Sequence, residues 1–477
     1  MNKPVYCYMI LCENQAFYTG WTKNISSRFK QHKSGNGSRY TKQNKPVKVI
    51  YWKTCKDKSS AMKREIEIKK LNRKQKERLI LGWRCDLKLP VAFDQFEYLS
   101  IAPGRVNMLG EHIDYNGGSV LPAAIDRYVY LGANKRNDQI IRITALDLNQ
   151  TISFRINEIE MKIDILGNPL PDWSLYPAGV FWAASKQNLE ISGFDGIFTS
   201  TIPMGTGLSS SAAVEVAFAA LMRELCSWDI DNMDLAKICQ KAENQYIGVN
   251  CGLMDQFASA NGVQNALLFF NTTNLEWFPI ELPENAAIVI TNSKIPRSLS
   301  NSAYNERRES CEKALLKLQK KYPGHSNLCQ FSISEFEEVE NDLEEKLQKR
   351  AKHVINECAR VNQAIIFLHD NMLNEFGELM KASHFSLRDL YEVSTPEMDL
   401  LVSIANEIKG CFGSRLTGAG FGGCIVSLVK KEAVNKFVKE LEYTYNKKTG
   451  KEIETYICKA SEGVTVQWHE STTLLVD

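Results

Sequence analysis

Hydrophobic and polar positions change rhythm several times along the chain, and each change marks an element. Val5 to Cys12 is an almost unbroken apolar run, too short to cross a bilayer and the right length for a buried strand. Ala16 to Trp21 predicts a second strand, Asn24 to His32 a short helix with Asn24 as its N-cap, and Val47 to Thr54 a third strand. Ser59 to Leu71 carries a helical pattern, with Ser60 as the expected cap and Met62, Ile66 and Leu71 as the expected core-facing positions. A β-β-α-β-α unit results. A junction follows between Leu81 and about Gln95, where Pro90 interrupts local structure. Much further on, the apolar, Ala-rich segment Glu215 to Leu221 predicts a buried helix, and Ile425 to Val429 a buried strand.

At 477 residues the chain is too long for one ordinary core. Its 44% hydrophobic and 24% charged residues exclude a disordered protein. The net charge of +2 hides a division. Met1 to Pro90 holds 22 Lys and Arg against 6 Asp and Glu, a net +16, whereas the remainder holds 36 against 50, a net −14. The basic segment suits a polyanion such as nucleic acid; the acidic body suits a small molecule. The 13 cysteines are odd in number, scattered, and without a C-x-x-C pair, so neither a disulfide framework nor a zinc cluster is expected. A reducing cytoplasm is the expected compartment, and no apolar run approaches the ~18 residues of a membrane span.

Within the basic segment, Tyr8, Tyr18, Arg28, His32 and Glu65 are the residues able to do chemistry. A carboxylate holds a divalent ion, an arginine neutralises a phosphate, and a tyrosine or histidine moves a proton in phosphodiester hydrolysis. From Pro4 to about Ile80 the sequence resembles the GIY-YIG nuclease family: Tyr8 ends the first motif and Tyr18-Thr19-Gly20 matches the second. The resemblance implies Glu65 as metal ligand and Arg28 as the contact to the scissile phosphate. Tyr6-Cys7-Tyr8 replaces Gly-Ile-Tyr, which leaves both a nuclease and a simple binding module open.

Three glycine-rich stretches organise the acidic body. Ala102 to Gly118 packs Arg105, Glu111, His112 and Asp114 between turn-forming glycines, and paired carboxylates of this kind fix the hydroxyls of a polyol. Pro203 to Val214 leads Gly205, Gly207 and three serines into the Ala-rich helix, a start that reads either as a phosphate cradle built on its first N–H groups or as an ordinary helix cap; it is not a Walker A loop. Ser414 to Cys424 has a glycine density that allows close backbone approach to a ligand. Between the second and third, Cys251 to Phe257 embeds Asp255 among apolar residues.

In this order, these stretches resemble the GHMP small-molecule kinase superfamily and, within it, the galactokinase family, from about Phe93 to Gln467. Ser383 to Asp389 and Tyr391 to Ser394 extend the match. The implied fold is mixed α/β (α+β): a GIY-YIG unit over 1–82, a linker over 83–95, an S5-like N-terminal lobe over 96–285 and a ferredoxin-like C-terminal lobe over 286–477. By the resemblance Asp255 is the catalytic base and Arg105 its partner, while Glu111, His112, Asp114, Gly252 and Tyr304 line the sugar. Gly205, Gly207, Leu208, Ser209, Ser210 and Ser211 bind ATP, and Ser211 and Glu243 hold Mg2+. The implied reaction is phosphorylation of the 1-hydroxyl of galactose. Ile113 replaces the usual Thr, as in N-acetylgalactosamine kinases, and Pro296 replaces a usually basic residue before Arg297. Another galacto-configured substrate therefore stays open. A catalytically silent sugar sensor is the alternative from a different class, against which intact Arg105, Glu243 and Asp255 argue.

Overall fold

The computed structural model describes residues 5–14, 16–73, 76, 93, 96–203, 205–295 and 300–468. Apart from Phe93, the expected linker over 83–95 lies outside the described residues, as do Met204, Pro296 and Arg297.

The N-terminal unit is a three-stranded antiparallel sheet in which β1 (Val5–Cys12) lies between β2 (Phe17–Thr22) and β3 (Pro46–Cys55). A central strand covered on both faces has no solvent side, which accounts for the unbroken apolar run. Cys7 and Met9 face a cluster with Ile68; Tyr8, Ile10 and Cys12 face one with Phe29. Helix α1 (Ile25–Lys33) is capped by Asn24, whose Oδ1 accepts from Ser27 N at 2.8 Å. A short α2 (Arg39–Gln43) was not expected; Ser38 and Thr41 form its capping box.

Helix α3 (Lys58–Lys70) corrects two expectations. Its cap is Asp57, which accepts from Ser60 N at 2.7 Å, so Ser60 lies inside the first turn. Ala61 and Ile68 form the buried face, whereas Met62 and Ile66 are 42% and 53% exposed. Ala61 and Ile68 are two turns apart and share a face; Ile66 falls off it.

The first lobe of the larger body runs through β4 (Tyr98–Asn107), β5 (Ser119–Val120), β6 (Pro122–Lys135), β7 (Ile140–Ala145), β8 (Gln150–Arg155), α4 (Asp172–Ser185) and β9 (Phe194–Ser200). It continues with α5 (Ser210–Cys226), α6 (Asn232–Lys241), α7 (Met254–Asn261), β10 (Ala266–Asn271) and β11 (Trp277–Glu281). Helix α5 is apolar almost all round, as a helix enclosed by its lobe must be, and Ser100 on β4 donates to its Ala217 carbonyl at 2.8 Å.

The second lobe comprises β12 (Ala286–Asn292), α8 (Ser300–Leu318), α9 (Ile333–Glu337), α10 (Glu345–His369), α11 (Leu373–Asp389), α12 (Pro396–Glu407), β13 (Cys411–Thr417), β14 (Cys424–Lys430), α13 (Val434–Thr449) and β15 (Glu454–Cys458). Its antiparallel sheet has the order β13-β14-β12-β15, a split arrangement in which the first strand lies between the third and fourth, as in ferredoxin-like folds. The chain then returns: β16 (Thr465–Trp468) pairs with β4, completing a six-stranded sheet ordered β16-β4-β6-β9-β7-β8 in the first lobe. Trp468 packs on Phe29 of the N-terminal unit, with ring centroids 5.4 Å apart, and lies under Lys33 Nζ at 4.6 Å.

Cys329 and Cys358 are joined in a disulfide, a pairing that their separation of 29 residues gave no reason to expect. Among the described residues, no helix is long and apolar enough to cross a membrane.

Candidate active site

Arg105 lies near the end of β4, after a register shift at Gly104. A Cβ on Gly104 would come within 2.8 Å of the Leu208 carbonyl, so glycine is what lets the second glycine-rich loop lie against the strand. Arg105 Nε donates to Asp255 Oδ1 at 2.9 Å and its Nη2 reaches the same oxygen at 2.7 Å. Its Nη1 donates to the Gly207 carbonyl at 2.6 Å. Asp255 is the second residue of α7. The resemblance placed these two residues together, and the structure does so across 150 positions of sequence.

The loop before α5 is shaped by positive φ at Gly205 (70°), Gly207 (83°) and Ser209 (55°). Ser209 occupies the cap position but does not cap: its hydroxyl donates to Asp255 Oδ2 at 2.5 Å. The first-turn N–H groups of α5 therefore have no side-chain cap from that residue, and the positive end of the helix dipole lies at this loop. Leu208 is buried, whereas Ser210 and Ser211 are half-buried.

On the other side of Asp255 stand the polar residues of the first stretch. Burial, with Asp255 and Glu111 adding repulsion, pushes the Asp114 carboxyl up to about 7. Gly252 presses against that carboxyl. Tyr304 on α8 and Tyr115 stack edge to face, with centroids 5.3 Å apart, and the His112 ring lies 5.5 Å from that of Tyr304. His112 Nδ1 bonds Tyr115 Oη at 2.8 Å, and Tyr115 Oη bonds Tyr391 Oη at 2.8 Å. Burial pulls the His112 imidazole down to about 3, so it is neutral near pH 7.

Glu111 is placed differently from its neighbours. Its Oε1 accepts from Gly418 N at 2.7 Å and Thr417 Oγ1 at 3.0 Å, and pairs with Arg415 Nη2 at 2.8 Å. It ties the first glycine-rich stretch to the third. Ile113 is fully buried, and its Cδ1 lies 2.7 Å from where a Gly118 Cβ would be, so it packs within the loop's own core.

Glu243 lies in a π-helical turn over Ala242–Ile247 and is 8% exposed. Its Oε2 accepts from Gln256 Nε2 at 2.6 Å, and the same amide reaches Glu215 Oε2 at 3.0 Å. Burial raises both carboxyls above the usual range; Asp255 adds to the rise at Glu243, and Glu243 to that at Glu215. Glu215 Oε1 and Gln256 Oε1 are buried without partners. Ser211 precedes Glu215 by one turn on α5. Among the described residues no group of three His, Cys, Asp or Glu gathers for a metal. Two carboxylates and a hydroxyl fit Mg2+, which takes few protein ligands and completes its shell with phosphate and water. Glu215 and Gln256 escaped the sequence reading, although a carboxylate four residues after Ser211 in an apolar helix was a usable signal.

In the N-terminal unit, His32 is buried between Tyr8 Oη, 2.7 Å from Nε2, and Thr41 Oγ1, 2.6 Å from Nδ1. Burial lowers the His32 imidazole to about 4 and raises the Tyr8 phenol. The Tyr18 ring lies 4.9 Å from that of His32. Arg28 donates to the Gly37 carbonyl at 3.1 Å and to Gln31 at 2.9 Å. Glu65 on α3 pairs with Lys69 at 2.5 Å. Tyr8, Tyr18 and His32 form one cluster; Glu65 has no direct bond to it among the described contacts.

A two-lobed body with an Arg–Asp pair beside a glycine-rich helix start is the frame of a GHMP kinase. The GHMP kinases N terminal domain model matches residues 176–263 and the GHMP kinases C terminal model residues 364–447. The galactokinase galactose-binding signature matches residues 91–135, and the GIY-YIG catalytic domain residues 4–78. A galactokinase of Roseiflexus sp. (strain RS-1) is 42% identical over 363 residues, 76% of this chain and 91% of the relative. That of Fusobacterium nucleatum is 43% identical over 367 residues, 76% of this chain and 93% of its own. The crystal structure of Lactococcus lactis galactokinase complexed with galactose superposes with a TM-score of 0.73 at 34% identity, covering 78% of this chain and 95% of that one. Methanococcus jannaschii mevalonate kinase, 20% identical with a TM-score of 0.52, shares the fold. The chain belongs to the galactokinase family and carries a GIY-YIG domain at its N-terminus.

Proposed function

We propose that the protein transfers the γ-phosphate of ATP to the 1-hydroxyl of galactose. The observation that carries this reading is the Arg105–Asp255 bond at 2.9 Å beside the start of α5, in a chain whose relatives are galactokinases. Asp255 takes the proton of the 1-hydroxyl as its oxygen bonds to the γ-phosphorus, and the bridging bond to ADP breaks. Arg105 holds Asp255 in place and offsets charge on the transferred group. Glu111, Asp114, Tyr304, His112 and the Gly252 backbone line the sugar, with Oε1 of Glu111 held by Arg415 and Gly418. The loop from Gly205 to Ser211 holds the phosphates on backbone N–H groups. Ser211 and Glu243, with Glu215 behind them, would hold Mg2+, which neutralises phosphate oxygens when bound. Alignment and charge neutralisation supply most of the rate, since little covalent chemistry is asked of the protein.

Ile113 is buried and packs against Gly118 within its own loop, so its replacement of Thr is no argument for an N-acetylated sugar. Measuring ADP release across galactose, N-acetylgalactosamine, glucose and other sugars tests the assignment. Galactose should give the highest kcat/KM; an equal or higher value for another sugar overturns it.

A second reading concerns residues 1–82. Their net basic charge and the Tyr8–His32–Tyr18 cluster favour nucleic-acid contact, with a metal-dependent cut at Glu65 as the finer proposal. Incubating the full chain with labelled single-stranded and duplex DNA, with and without Mg2+, tests it. Retained binding with no Glu65-dependent cleavage leaves a binding module.

A further inference from the structure

The carboxylate of Asp255 is held from two sides. Oδ1 receives both Arg105 Nε and Nη2, which fills its acceptor sites. Oδ2 receives Ser209 Oγ at 2.5 Å and has one acceptor site left. Ser209 sits at φ 55°, a left-handed conformation uncommon for a residue that is not glycine. Serine normally caps a helix from an extended backbone and turns its hydroxyl to the helix's own N–H groups; here it turns away from α5 and towards the base. The same loop grips the partner as well: the Leu208 carbonyl accepts from Arg105 N at 3.1 Å and the Gly207 carbonyl from Arg105 Nη1 at 2.6 Å. Residues 207–209 thus touch both members of the pair.

We propose that Ser209 is a positioning residue: its hydroxyl fixes the rotation of the Asp255 carboxylate so that the remaining acceptor site of Oδ2 faces the sugar hydroxyl. This rests on Asp255 being the base, and it gives a nucleotide-loop residue a role directed at the base. The loop that is shaped for phosphate then also sets the orientation of the proton acceptor.

Ser209→Gly and Ser209→Ala, each alone and combined with Asp255→Asn, test the proposal. Glycine relieves the left-handed backbone, so Ser209→Gly should keep or raise the thermal midpoint. Both variants should nevertheless lower kcat about 10- to 100-fold, the range spanned by a lost hydrogen bond to a charged group. The KM for ATP and the calorimetric affinity for a non-hydrolysable ATP analogue should stay within about twofold of wild type, since uniform binding is untouched. In the Asp255→Asn background Ser209→Gly should cost almost nothing further, because the two residues act as a unit. Wild-type kcat in Ser209→Gly overturns the proposal, as does a loss confined to KM for ATP or a full multiplicative loss in the double variant. If Asp255→Asn alone keeps wild-type turnover, the base assignment fails first, and that outcome is separate from the response of Ser209→Gly.

Discussion

A Cβ on Gly252 would lie 1.9 Å from Oδ2 of Asp114. The two residues are adjacent in space because the loop before α7 runs directly beneath the first glycine-rich stretch, and only a residue without a side chain leaves the carboxylate where it is. In Gly252→Ala the Asp114 side chain must rotate, since a carboxylate end moves more cheaply than backbone. The expected outcome is a KM for galactose raised about 10- to 100-fold, the cost of one misplaced charged hydrogen bond, with an intact fold. Steady-state kinetics with circular dichroism checks this; an unchanged KM removes Asp114 from the sugar site.

Sugar affinity should depend on pH through the same carboxyl. Burial raises free Asp114 to about 7, so near neutrality it is partly protonated before sugar arrives. Hydroxyl donors favour the anion, which lowers the value in the complex. Affinity should therefore rise as pH increases through 7 and level off above it, with a proton released on binding. Titration calorimetry in buffers of different ionisation heat reads that proton directly. Asp114→Asn should bind weakly at every pH and release none.

Arg105 holds Asp255 through Nε and Nη2 and the Gly207 carbonyl through Nη1, a spread of donors over three nitrogens that a single ammonium nitrogen does not reproduce. Arg105→Lys should lower kcat by about 10²- to 10³-fold, comparable to removing one preorganised donor from a developing charge. Galactose KM should change much less. A kcat near wild type would show that Arg105 serves the fold alone.

Trp468 links β16 to the N-terminal unit through Phe29 and Lys33. Trp468→Ala should loosen that docking, so limited proteolysis should release the N-terminal unit faster. Sugar phosphorylation should remain at the wild-type rate. A fall in kinase activity matching the faster cleavage would instead reveal that docking supports the active site.

Local signals were read well where one residue dictates one backbone feature. Asn24 caps α1, and the central strand β1 is apolar because both faces are covered. The joining of Arg105 to Asp255 came from resemblance to a family, since no periodicity links positions 150 apart. Side-chain partners across such distances stayed hidden. The resemblance implies Glu111 as a sugar-lining residue, while nothing in its loop points to the partners of its Oε1, which come from Arg415, Thr417 and Gly418 in the other lobe. Ser209 is implied as an ATP contact by the resemblance, and nothing local points to its bond with Asp255. The α3 core face was misassigned because the helix begins at Lys58, capped by Asp57, and buries Ala61 and Ile68 instead of Met62 and Ile66. The Cys329–Cys358 pair depends on how the segment before α9 folds back on α10, which composition does not encode.

Because β16 supplies the outer neighbour of β4, the two lobes cannot be separated by cutting between β11 and β12. A fragment ending there would bare the outer hydrogen-bonding edge of the strand that carries Arg105, a template for aggregation. Co-expressed halves would have to restore that seam by intermolecular strand pairing before either could contribute to catalysis.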